Sequence, residues 1–161
     1  MTKPAVYLET SVVSYATSRP SRDLIVAGHQ QVTRDWFGMY APAYELFVSQ
    51  LVVTEAAGGD KDAAQRRMDF LRGVSRLAVT DAAGDLAAQF VKEAVVPQTA
   101  AEDALHIAIA AVHGVDYLLT WNCKHIANAT LRQSIEAVCR AAGYEPPVIC
   151  TPEELMNDDQ G

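Results

Sequence analysis

Short apolar runs rich in β-formers alternate along this chain with longer stretches of helical period. That alternation narrows the fold class more than any other feature. Strands separated by helices are joined by crossovers, and crossovers make neighbouring strands parallel. The runs at 5–9, 44–48, 77–79, 117–120 and 148–150 read as strands. The expected architecture is a single α/β domain over residues 1–156. It has a mostly parallel central sheet of four to five strands flanked by helices, with 157–161 a fraying tail. At 161 residues, half of them apolar, the chain is long enough to bury a sizeable core.

The helices follow from period and punctuation. Ile25, Val32, Trp36 and Tyr40 recur on one face with His29 between them, which predicts a helix from Arg22 to about Tyr40, capped by Ser21. Ser49 is placed to cap a short helix carrying Glu55, ended by Gly58-Gly59. A helix starts at Asp60, packing Met68, Phe70 and Leu71 with Arg66 and Arg67 in water. Further helices run over 81–93, 99–113 and 128–142. Thr99 with Glu102, and Thr151-Pro152 with Glu154, have capping-box spacing.

Charge and cysteines bound the function. The net charge is −7, which argues against a general nucleic-acid-binding module held by electrostatics alone. Chemistry on a phosphate chain would need a metal or a local basic patch. The three cysteines, Cys123, Cys139 and Cys150, form no CxxC pair and suggest reduced thiols in a cytoplasmic protein. No apolar run approaches the roughly 20 residues of a membrane span, and no signal-peptide h-region is evident at the start.

Within that frame, four polar residues sit where a site would form. The run Val6-Tyr7-Leu8 closes on Glu9, then on Thr10 and Ser11, so a buried strand delivers an acid to its C-terminal edge. In open parallel sheets, sites form outside the carboxyl ends of the strands. Asn122 lies just past the run 117–120; its bland reading is an Asx turn. Asp103 heads the apolar stripe of Ile107 and Ala110, where a carboxylate is costly unless paired, although the helix dipole also favours it there. Glu55 alone reads as a solvated helix acid. Together, Glu9, Glu55, Asp103 and Asn122 suit a divalent cation with oxygen ligands that serves phosphodiester cleavage. His106 reads as a packed or hydrogen-bonded histidine. Arg19, Arg22, Lys124 and His125 are candidates for phosphate contact, His125 also for proton transfer.

The stretches Tyr7-Leu8-Glu9-Thr10-Ser11, the Glu55 helix, Glu102-Asp103-Ala104-Leu105-His106-Ile107-Ala108 and Leu118-Leu119-Thr120-Trp121-Asn122 fall in the order of the PIN domain. The sequence resembles the VapC-type toxins of type II toxin–antitoxin systems over nearly its whole length. The resemblance implies an Mg²⁺- or Mn²⁺-dependent endoribonuclease, a homodimer, and inhibition by a cognate antitoxin. It implies Glu9, Glu55 and Asp103 as acidic ligands, Asn122 in the place of a fourth acid, and Thr10 in support. Two departures stand out. Glu9 replaces the usual Asp and is one methylene longer; Asn122 replaces a usual Asp and removes a charge. They leave open a catalytically weak or inactive PIN-like domain that binds nucleic acid or protein. A phosphoacceptor domain is a more remote reading, because Glu9 is a poor acceptor.

Overall fold

In the computed structural model, which describes residues 2–157, one sheet of five strands carries the molecule. The strands are β1 (Ala5–Leu8), β2 (Glu45–Ser49), β3 (Ser75–Leu77), β4 (Tyr117–Leu119) and β5 (Val148–Cys150). All four pairings are parallel, in the order β3-β2-β1-β4-β5. The α/β expectation holds, and the sheet has the upper of the strand numbers expected. Residues 158–161, the bulk of the expected fraying tail, lie outside the described residues.

Strand order decides where a site belongs. From β1 the chain steps out to β2 and β3, then crosses to the other side of β1 for β4 and β5. The direction reverses between β1 and β4, and crevices open at such switch points beyond the carboxyl ends. Leu8 pairs with Leu119 at the end of both strands. The residues that follow, Glu9 and Thr120, therefore face one another across the crevice.

Seven α-helices flank the sheet among the described residues: α1 (Thr10–Thr17), α2 (Leu24–Asp35), α3 (Gln50–Ala56), α4 (Lys61–Phe70), α5 (Asp81–Lys92), α6 (Ala101–Val112) and α7 (Ala129–Ala141). They pack in two groups, α1 with α2, α3 and α4, and α5 with α6 and α7. The core is continuous from Val6, Tyr7 and Leu8 through Val52, Phe90, Ile107 and Leu118. Helix α6 is its most buried helix, enclosed at Ala104 and from His106 to Ala111.

Four local expectations are corrected. Helix α2 starts at Leu24 under an Asp23 cap, not a Ser21 cap; the Ser21 hydroxyl instead accepts from the Asp23 N–H. Its buried stripe runs through Gln30, Thr33 and Trp36, while Ile25 is 72% exposed. Polar residues hold that stripe because each is satisfied: Gln30 donates to Ser18 Oγ and the Arg19 carbonyl, and Thr33 donates to the His29 carbonyl. The last expected turn widens into a π-helix over Trp36–Tyr40.

The third strand lies at 75–77, two residues earlier than expected. Arg66 and Arg67 do not simply face water. Arg66 Nε donates to the Thr17 carbonyl, and Arg67 donates to those of Ala56 and Gly58, so the two tie the ends of α1 and α3 together. Finally, Thr99 and Glu102 form no capping box. A 3₁₀ turn (Gln98–Ala100) precedes α6, Ala100 is the cap residue without a side-chain cap, and Glu102 is exposed. The second capping box, Thr151 with Glu154, forms as expected.

Candidate active site

Glu9 ends β1 and caps α1, with its backbone N–H on the Leu119 carbonyl at 3.0 Å. Its carboxylate is almost wholly buried, at 6% exposure. Oε1 accepts from the Ser11 hydroxyl and the Thr120 hydroxyl, each at 2.5 Å, and Oε2 accepts from the Ser11 N–H at 3.1 Å. The two hydroxyls are themselves acceptors. Ser11 Oγ takes the Trp121 N–H at 2.8 Å and Thr120 Oγ1 takes the Asn122 N–H at 2.9 Å. One carboxylate thus fixes the segment that leaves β4. No Lys or Arg pairs with Glu9, Glu55 or Asp103 among the described residues.

Glu55 reaches the same crevice from α3. Its Oε1 accepts from the Thr10 hydroxyl at 2.5 Å and meets His106 Nε2 at 2.6 Å. Burial pushes its carboxyl up, but the hydrogen bond and charge of His106 and the hydrogen bond from the Thr10 hydroxyl outweigh this and hold it below its ordinary value.

Behind His106 stands a second tier. His106 Nδ1 lies 2.7 Å from the Tyr7 hydroxyl, which lies 2.8 Å from Ser49 Oγ. Burial pushes the Tyr7 phenol far above its usual range, so it stays protonated. His106, Tyr7 and Ser49 are all fully enclosed. A carboxylate whose orienting imidazole is itself oriented is the arrangement that tunes metal ligands.

Glu9, Glu55 and His106 each offer one ligand atom within 4.8 Å of the others. Both ring nitrogens of His106 are taken, Nε2 by Glu55 Oε1, so the two carboxylates are the donors and His106 orients one of them; such oxygen donors suit Mg²⁺ and Mn²⁺. The donor chemistry therefore fits a divalent cation.

Asp103 and Asn122 stand outside that group. Asp103 Oδ2 pairs with His125 Nδ1 at 2.9 Å, and both line an open cleft of ≈ 420 Å³ at the start of α6, together with Glu102 and Thr99. Asn122 does not form an Asx turn; its Oδ1 accepts the His125 N–H three residues on, at 3.0 Å, and caps the turn that follows. Asn122, His125 and Asp103 make one hydrogen-bonded chain at the mouth of the crevice. Arg19, Arg22 and Lys124 are exposed.

Sequence reasoning missed Ser11 and Thr120 as holders of Glu9; it read His106 as a packed or hydrogen-bonded histidine, which the structure bears out, but did not name Glu55 as its partner. The signals were present. Hydroxyl residues followed both strand ends, and a histidine on the face of an apolar helix needs a partner when buried.

No family model matches the chain, and no curated protein matches it. Solved structures do. A chain of VapBC2 from Rickettsia felis, crystallised with a DNA fragment from the promoter, is similar over 91% of this chain and 98% of that one, with TM-score 0.59 and 15% identity. VapC20 of Mycobacterium tuberculosis, a sarcin–ricin loop cleaving toxin, is similar over 86% of this chain and 95% of that one, with TM-score 0.53 and 15% identity. The chain has the PIN-like fold of VapC toxins.

Proposed function

We propose that this protein is a metal-dependent endoribonuclease and the toxin of a toxin–antitoxin pair. The observation that carries the reading is the convergence of Glu9, Glu55 and His106 at the switch point of a VapC-like fold. A divalent ion held there supplies Lewis-acid stabilisation of phosphate charge and a more acidic water. Glu9 and Glu55 are the carboxylates that would hold it. Each is locked by hydroxyl donors on one oxygen, which leaves lone pairs on Oε2 for a ligand. Asp103, carried on α6 with His106 and paired with His125, would complete the acidic set around a bound ion. Asn122 contributes through its amide and by holding His125. Thr10 orients Glu55. Arg19, Arg22, Lys124 and His125 supply the cationic rim that a chain of net charge −7 needs against RNA phosphates.

The likeness to a chain of VapBC2 bound to a DNA fragment from their promoter supports expecting an antitoxin here; a homodimer and a cytoplasmic location belong to the same proposed reading. No helix among the described residues is long and apolar enough to cross a membrane. One observation favours the weaker alternative, a PIN-like binding domain: Asn122 and Glu9 both have full structural occupations without any ion.

The test is RNA cleavage by purified protein with Mn²⁺ or Mg²⁺. Cleavage that stops on chelation, and is lost in Glu9→Gln and Asp103→Asn while both variants stay folded, is the expected result. Intact RNA at high protein concentration with either ion would move the reading to the binding domain.

A further inference from the structure

Beside the acids lies a patch of three rings that the hydrolytic chemistry leaves unused. His29 of α2 stacks on Trp121 with centroids 4.0 Å apart and planes 11° from parallel. Tyr15 of α1 sits 6.1 Å from Trp121 and 6.4 Å from His29, tilted by 27° and 24°. His29 and Tyr15 are closer to each other than a sandwich around the indole would allow. The rings therefore form a patch, not a closed stack, and all three are half-buried. The indole is held in place by its N–H on Thr33 Oγ1 at 2.7 Å.

The patch is wired to the acids. Trp121 donates its backbone N–H to Ser11 Oγ, and that hydroxyl donates to Glu9. Exposed Arg19 lies two residues beyond the end of α1, and its carbonyl is held by Gln30, the neighbour of His29 in α2.

Charge says what such a patch is for. Phosphate contacts supply most of the sequence-independent affinity of nucleic-acid binders, and a chain of net charge −7 has few cations to offer. Stacking of an unpaired base on an aromatic ring does not depend on net charge, and histidine, tyrosine and tryptophan all serve it.

We propose that His29, Tyr15 and Trp121 form a stacking platform for an unpaired base of the RNA strand whose phosphate lies at Glu9 and Glu55. The proposal rests on the ribonuclease reading. The platform would select single-stranded over duplex substrate next to the cleaved bond.

The chain's two tryptophans make a clean test, because Trp36 is fully buried and Trp121 is not. In Trp36→Phe, emission reports Trp121 alone. Short single-stranded RNA, with Ca²⁺ replacing Mn²⁺, is expected to quench it, and the same strand with abasic sites is not. Independently, with both tryptophans kept, the anisotropy of an end-labelled RNA should show His29→Ala and Tyr15→Ala each weakening binding on the order of tenfold, with Tyr15→Phe unchanged. RNA that binds without quenching and equally well to His29→Ala would overturn the platform and leave the ribonuclease reading standing. No RNA binding at all would overturn both. Emission that changes with protein concentration and not with RNA would make the patch a contact between copies and overturn the proposal.

Discussion

At the scale of single residues, His106 decides how Glu55 presents itself. Its Nε2 meets Glu55 Oε1 at 2.6 Å and its Nδ1 meets the Tyr7 hydroxyl at 2.7 Å, both out of water. His106→Asn keeps a polar group near Tyr7 but cannot span to Glu55; His106→Gln reaches Glu55 with an amide N–H. Loss of such an outer partner typically weakens metal binding roughly 10–100-fold. Titration calorimetry with Mn²⁺ should therefore show that loss in His106→Asn and a largely retained affinity in His106→Gln. Equal effects would mean that the imidazole only fills space. The depressed Glu55 carboxyl also makes a pH prediction. A group whose pKa falls on folding contributes stability above its unfolded value and loses it as pH drops through the folded one. The metal-free protein should accordingly lose melting temperature as pH falls below 4.5, the ordinary value, and Glu55→Gln should lose less across that window.

At the scale of elements, α3 must be held from both ends for Glu55 to be useful. Ser49 caps its start, accepting the Val52 N–H, and Arg67 binds the Ala56 and Gly58 carbonyls at its end. Arg67→Ala should cost about 1–2 kcal/mol, read as a lower urea midpoint at unchanged slope. A loss much smaller than that would show that water replaces the guanidinium at no cost. These elements also show what the sequence carries and what it hides. Strands β1, β4 and β5 were legible because each is a short apolar run next to turn residues, and Ser49 was legible as a cap because capping is local. The start of α6 was misread because Thr99 and Glu102 have box spacing, while Thr99 falls inside a 3₁₀ turn and the cap position goes to Ala100. The buried face of α2 was misread for a related reason. Period analysis follows apolar residues, whereas Gln30 and Thr33 are buried on hydrogen bonds to the α1–α2 loop and to Trp121. The convergence of Glu9 with Glu55 could be guessed from strand-end logic, but the entry of His106 depends on the rotation of α6 against β1, which no local pattern states.

At the scale of the whole molecule, the thiols and the acids report on separate halves of the fold. Cys139 and Cys150 are buried, and burial pushes their thiols up to about 11 and about 12, whereas Cys123 is exposed. A thiol reagent should modify one cysteine per native chain and all three after denaturation; three reacting at once in native buffer would mean that the β5–α7 side opens readily.

The crevice makes the complementary prediction for the opposite end of the stability scale. Glu9 and Glu55 converge without a Lys or Arg partner among the described residues, so a bound cation would add an attraction that the metal-free fold lacks. A ligand that binds only the native state at a hundred times its Kd adds about 2.7 kcal/mol. For a chain of this size that corresponds to a melting temperature raised by roughly 5–10 °C. Mn²⁺ should produce this shift in the wild type and chelation should reverse it. In Glu9→Gln the shift should vanish, and the variant should melt somewhat below the metal-free wild type, because an amide NH2 in place of Oε2 leaves the Ser11 N–H without its acceptor. If Mn²⁺ instead raises both proteins equally, the ion binds at the exposed acids of the surface, and the crevice acids serve only to hold the segment after β4 in place.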